Sequence, residues 1–174
     1  MRPSKLAGIQ YAALPYRIEG RQVQILLITS RGTRRWVIPK GWPHEGLHPY
    51  MAAAAEAAEE AGIVGEIDPR PIGSYRYEKQ LKSGRGRAIQ VIVFPLKVEG
   101  LADGFKEEGQ RAARWFSYQK AAGLVAEPSL RRLIRAFGDA RSTNALMRGL
   151  RRYWAWRFGV GWDEGTLIDA SRLF

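Results

Sequence analysis

Gly41–Ile63, GWPHEGLHPYMAAAAEAAEEAGI, is the stretch on which the reading of this chain turns. Pro49 suits a first helical turn, where its missing N–H costs nothing, and Gly62 suits the position just past a helix end. The spacing therefore predicts a helix from Pro49 to Ala61. Towards its end stand three glutamates, Glu56, Glu59 and Glu60, in a chain of formal net charge +11. At about 100° per residue they share an arc of roughly 100°, while Met51, Ala54, Ala58 and Ala61 fall opposite and are expected to pack. Carboxylates so close repel one another, and either take up protons or share a cation. Hard oxygen ligands suit Mg²⁺ or Mn²⁺, with substrate phosphates completing the coordination. For the Glu59-Glu60 pair alone, a solvated helix end is the plainer alternative.

Outward from this helix the pattern alternates. Gly8–Pro15 reads as a first strand, Tyr16–Arg21 as a turn, and Val23–Thr29, VQILLIT, as a buried strand. Ser30–Arg35 is a polar loop ahead of a short strand at Trp36–Pro39. Downstream, Ile72–Gln80 and Ala88–Val98 read as strands joined by the basic loop Leu81–Arg87. Gly100–Arg111 is a polar loop containing Glu107 and Glu108, followed by a strand at Arg114–Ser117. Tyr118–Leu124, capped by Ser117, and Pro128–Phe137 read as helices. These elements imply an α/β domain in which helices cover a mixed sheet.

A length of 174 residues allows one domain and an appendage. Gly138–Thr143 is the expected boundary, dividing residues 1–138 from a C-terminal extension at 139–174, where Ala145–Phe158 reads as an amphipathic helix that docks on the domain or on a second copy, as in a homodimer. The chain has no cysteine, which excludes disulfides and thiolate chemistry and fits a cytoplasmic protein. No apolar run is long enough to span a bilayer, so membrane insertion is not expected. The positive charge attracts anions. Because the basic residues are spread over loops and the C-terminal third, a phosphorylated small molecule is favoured over nucleic acid.

The central stretch resembles the signature of the Nudix hydrolases, G-x5-E-x7-R-E-U-x-E-E-x-G-U. Gly41 matches its first glycine, Glu56 the glutamate of R-E, Ala57 the aliphatic position, Glu59-Glu60 the paired glutamates, and Gly62-Ile63 the close. Leu47 stands where a glutamate is expected and Ala55 where an arginine is expected. Ser30-Arg31, Arg35-Trp36 and Pro39-Lys40-Gly41 are similar to the branch that includes diphosphoinositol polyphosphate and dinucleoside polyphosphate phosphohydrolases, and the likeness covers residues 5–137.

The resemblance implies an α-β-α sandwich with a catalytic loop-helix-loop, and pyrophosphohydrolase activity on a phosphoanhydride of a polyphosphorylated small molecule, such as a nucleoside diphosphate linked to another group. It implies Mg²⁺ or Mn²⁺ held by Glu56, Glu59, Glu60 and the Gly41 carbonyl, and a general base drawn from Glu107 or Glu108. Arg31, Arg35, Lys40 and Arg87 are the expected phosphate binders, Arg31 and Lys40 partly on the resemblance, since cationic forks suit phosphate oxygens. Loss of both charges at 47 and 55 leaves neither buried without its partner, and Glu45, in the same loop, is the expected compensating group. The alternative function is a catalytically weakened domain that binds nucleotide or RNA.

Overall fold

The computed structural model describes residues 6–80 and 86–142. Eight strands form one mixed sheet: β1 (Leu6–Glu19), β2 (Gln22–Thr29), β3 (Trp36–Val37), β4 (Lys40–Gly41), β5 (Ile63–Ile67), β6 (Gly73–Gln80), β7 (Gly86–Leu101) and β8 (Ala113–Ser117). Helix α1 (Pro49–Ala61) lies between β4 and β5, and α2 (Tyr118–Leu124) follows β8. A further helix, α3, occupies residues 128–142. It runs through Gly138 without a break, so it is longer than the expected Pro128–Phe137 helix. The amphipathic stretch at 145–158 lies outside the described residues.

Strands β1 and β2 form an antiparallel hairpin with its reversal at Gly20, whose φ of 61° lies in the left-handed region that glycine tolerates. The turn expected to begin at Tyr16 is therefore strand up to Glu19. On its other edge β1 pairs in parallel with the long β7, Gly8 opposite Ile89 through Tyr16 opposite Lys97. The far edge of β7 is shared: β6 takes Gly86–Val93 and β5 takes Leu96–Leu101, both antiparallel.

The hairpin pairs only near its turn. At its open end β1 and β2 diverge, and residues 36–41 fill the gap, with β3 on Ile28 and Thr29 of β2 and β4 on Tyr11 and Ala12 of β1. The Ala13 N–H closes the wedge by donating to the Pro39 carbonyl at 3.1 Å. This divergence fixes Lys40 and Gly41 against α1.

Period-two alternation sends Ile25 and Leu27 to one face and Leu26 and Ile28 to the other. The first face packs on Tyr118, Ala121, Leu130, Ile134 and Phe137 of α2 and α3. The second packs on Ala53, Ala57 and Ala61 of α1. The layers are thus α-β-α.

Helix α1 has the expected limits, and Gly62 caps it at φ 64°. Its packing face is not the expected one. Ala52, Ala53, Ala57, Glu60 and Ala61 are buried, whereas Met51 and Ala58 are exposed. The helix is turned by roughly a third of a turn from the expected orientation. Methyl side chains at 53, 57 and 61 let the helix lie close on the sheet, and this carries Glu60 inward with them. No helix among the described residues is long and apolar enough to cross a membrane.

Two glycines separate packing from propensity. A Cβ at Gly138 would lie 2.1 Å from the Tyr118 ring, whereas one at Gly123, in α2, would meet nothing within 4 Å. In urea denaturation Gly138→Ala is expected to destabilise by about 1–3 kcal/mol through overpacking, and Gly123→Ala to stabilise by about 0.4–1 kcal/mol.

Candidate active site

The C-terminal half of α1 faces the loop between β7 and β8, and backbone contacts tie the two together. The Ala102 N–H donates to the Gly62 carbonyl at 2.8 Å and the Glu107 N–H to the Glu59 carbonyl at 3.0 Å. Glu107 thereby joins Glu56, Glu59 and Glu60 in one acidic cluster, while the Glu108 carboxylate turns away to accept the Gly104 N–H at 2.9 Å. Of the two late-loop glutamates, only Glu107 belongs to the cluster.

Each carboxylate is met by a cationic or imidazole side chain. Glu60 Oε1 accepts Arg111 Nη2 at 2.5 Å, and its Oε2 accepts the Lys40 backbone N–H at 3.1 Å. Glu107 lies between Arg111 Nε at 2.6 Å and Arg31 Nη1 at 3.2 Å. Glu59 pairs with Lys106 at 2.6 Å on the exposed side. Glu56 Oε1 is 2.8 Å from His44 Nε2, so His44 is a partner of the cluster. His48 stacks on Tyr50 and makes no side-chain cap. Glu45 is exposed, and the cations paired with Glu60, Glu107 and Glu59 include Arg111 and Lys106.

Gly41 is held to glycine by the same packing. A Cβ there would lie 1.9 Å from Cδ of Glu56, so the bare Cα is what admits this carboxylate.

Burial sets the electrostatics. It raises the Glu60 carboxyl above its ordinary range, against the pull of the Arg111 and Lys40 charges. It also lowers the Lys40 ammonium below the usual lysine range, against the pull of Glu60 and Glu127. Neither charge is fully compensated by its neighbours.

The Lys40 side chain lines a cavity of about 590 Å³ with Arg35, Tyr75, Tyr77, Lys79 and Glu127. Lys40 Nζ lies 5.4 Å from the centre of the Tyr77 ring, and Arg35 Nη1 is 3.5 Å from Glu127 Oε1. Arg35 and Lys40 therefore come together, and Arg31 stands beside Glu107. Arg87 is exposed on β7 opposite Lys79, which lines this cavity, and is not itself among the lining residues.

The oxygens of Glu56, Glu59, Glu60 and Glu107 suit a hard divalent cation in kind, and among the described residues Glu56 and Glu59 are each engaged through one oxygen. Among the described residues, however, no three acidic or histidine groups converge as a ready-made metal centre. Each carboxylate is instead paired with a side chain of the protein, and Arg111 bridges Glu60 and Glu107.

The NUDIX domain family model matches residues 9–137. The chain belongs to the NUDIX domain family. It is an enzyme of the Nudix hydrolases, which act on nucleoside diphosphate derivatives or polyphosphates. Nudix hydrolase 12, mitochondrial, of Arabidopsis thaliana is 24% identical over 155 residues, 87% of this chain and 70% of that protein. Nudix hydrolase 4 of the same plant is 28% identical over 71% of this chain, which spans 62% of that protein. Diphosphoinositol polyphosphate phosphohydrolase 3-alpha of Mus musculus is 28% identical over 66% of each chain. In structure the chain is similar to a C. elegans Ap4A hydrolase binary complex, with a TM-score of 0.55 and 19% identity over 81% of this chain and 98% of that one. The E. coli dihydroneopterin triphosphate pyrophosphohydrolase gives a TM-score of 0.57 and 18% identity over 76% and 95%. These structural likenesses show the fold.

The sequence reading missed Arg111, Lys106, Glu127 and the Tyr75–Tyr77 wall, all brought in by pairings distant along the chain. The available signal was an acidic helix without lysine or arginine, which requires cations from elsewhere. Gly41→Ala is expected to displace Glu56 from His44 and lower hydrolase activity by roughly 10–100-fold, the usual cost of a disturbed ligand environment. Circular dichroism should remain that of the folded protein.

Proposed function

We propose that the chain is a divalent-metal-dependent pyrophosphohydrolase that cleaves a phosphoanhydride in a nucleoside diphosphate derivative or dinucleoside polyphosphate. The observation that carries this reading is Lys40, whose backbone N–H holds Glu60 while its side chain lines the neighbouring cavity. Carboxylates and cavity are two parts of one site.

Glu56, Glu59 and Glu60, with the Gly41 carbonyl, would hold Mg²⁺ or Mn²⁺. When bound, such an ion acidifies water and neutralises phosphate oxygens. The incompletely compensated Glu60 favours added positive charge, and the half-buried Lys40 favours an arriving phosphate. Arg31, 63% exposed in its side chain, uses one Nη on Glu107 and keeps the rest of its fork for a phosphate oxygen. Glu107 is the general base of this reading: as water forms its bond to phosphorus and the anhydride oxygen departs, the water proton passes to the Glu107 carboxylate.

The cavity favours a nucleoside over an inositol polyphosphate. Glu127 stands in its wall and occupies Arg35, and Glu78 adds a second negative charge, so the lining cations Arg35, Lys40 and Lys79 exceed the carboxylates by only one, whereas a densely phosphorylated ring needs a larger excess. Tyr77, with the buried Tyr75 packed behind it, provides apolar area for a base. Two finer parts accompany the proposal: the cytoplasm as compartment, tested by fractionation against the mitochondrial and chloroplastic settings named for relatives, and a second copy as partner of residues 139–174, tested by sedimentation of the full chain.

The decisive measurement is initial rate on dinucleoside polyphosphates, nucleoside diphosphate sugars, nucleoside triphosphates and diphosphoinositol polyphosphates, with Mg²⁺, with Mn²⁺ and with chelator. Nucleotide turnover should vanish with chelator and fall at least about 100-fold in Glu60→Gln. Glu127→Lys should shift relative rates towards the inositol substrate by about tenfold or more. No turnover on any compound, with tight salt-sensitive RNA binding, would instead support a recognition module, the reading motivated by Leu47, Ala55 and the net charge of +11.

A further inference from the structure

Arg111 donates in three directions at once. Its guanidinium, 7% exposed, reaches Glu107 Oε2 through Nε, Glu60 Oε1 through Nη2, and the Thr29 carbonyl through Nη1 at 3.1 Å. The backbone beside it is also fixed: Ala112 N–H donates to Thr29 Oγ1 at 3.0 Å, Thr29 N–H to the Ala112 carbonyl at 2.9 Å, and Arg34 Nη1 to the Gln110 carbonyl at 3.0 Å. A side chain whose flanking residues are tethered and whose three donors are all engaged is a built part of the cluster, not a surface cation resting on it.

Helix α1 has no lysine or arginine, and its C-terminal end adds negative partial charge to the glutamates there. An arginine at position 55, where the family signature has one, would reach Glu59 one turn on. That role falls to Lys106, and nothing on the helix answers Glu60.

We propose that Arg111 is a positioning residue of the active site: it holds Glu60 of α1 and Glu107 of the late loop at a fixed separation and anchors both to the end of β2. This rests on the hydrolase reading. It gives the loop from Ala102 to Ala112 the bracing function that the signature places within its own helix, and it explains how the site tolerates Leu47 and Ala55. Arg111 is not among the residues lining the Lys40 cavity, so its removal should affect the chemistry more than substrate capture.

The test uses the full chain and two variants, Arg111→Lys, which keeps the charge but not the three-way geometry, and Arg111→Met, which removes the charge. Circular dichroism checks folding, steady-state kinetics separate kcat from KM, and calorimetric titration with Mn²⁺ alone gives metal affinity. Arg111→Lys is expected to stay folded, lose about 10–100-fold in kcat and bind Mn²⁺ about tenfold more weakly, with KM within about twofold. Arg111→Met should lose more; if it does not fold, the lysine variant decides. Unchanged kcat and Mn²⁺ affinity in Arg111→Lys would overturn the proposal. Tighter Mn²⁺ binding would overturn it too, by showing that the guanidinium occupies the cation's place. If the wild type turns over nothing, the hydrolase reading fails and the Mn²⁺ titration alone judges Arg111; if the wild type binds no Mn²⁺, Arg111 has no metal site to position and the proposal falls.

Discussion

Glu56, Glu59, Glu60 and Glu107 gather where the C-terminal end of α1 already carries negative partial charge, so the surrounding fold must deliver cations to that point. The divergence of β1 and β2 brings in Lys40, whose N–H takes one oxygen of Glu60. The loop after β7 brings Lys106 and Arg111, and the loop after β2 brings Arg31. Had α1 rotated to pack Met51 and Ala58, Glu60 would face solvent and this convergence would be lost. The alanine stripe therefore decides the electrostatics of the site as well as the helix packing.

Much of the fold could be read locally. Pro49 and Gly62 mark the ends of α1 because both act through their own backbone, and Ser117 caps α2 by accepting the Lys120 N–H at 3.3 Å. The orientation of α1 could not be read that way. An alanine-rich helix presents methyl groups on most of its circumference, so its pattern does not say which of them meet the sheet. Similarly, Tyr16–Glu19 contains turn-like and charged residues yet remains strand, since its pairing with β2 extends as far as Glu19 opposite Gln22.

The candidate site was legible where it lies in one segment and not where it is assembled from several. Glu56, Glu59 and Glu60 were read from their spacing and Gly41 from the resemblance, whereas choosing Glu107 over Glu108 needed the turn at Gly104 that diverts the latter. Arg87 shares the charge of Arg35 and Lys40 and stands opposite Lys79 of the cavity wall, yet it is not itself among the lining residues. Arg111 is separated by 51 positions from Glu60, its ion-pair partner. Family membership narrows the chemistry without supplying such contacts, because this chain departs from the signature at the two positions that would have provided its internal charge pair.

The parallel pairing of β1 with β7 also constrains how the molecule can be made. Ala12 finds its partner at Val93, so one edge of the first strand remains unfilled until roughly 80 further residues have been synthesised, several seconds at about 5–20 residues per second. The β1–β2 hairpin and α1 involve nearer neighbours and can form during that interval, but an apolar strand with an open edge is a template for pairing with another chain. The central position that makes β1 a firm support for Lys40 and Gly41 in the finished enzyme is the one that is completed late on the ribosome.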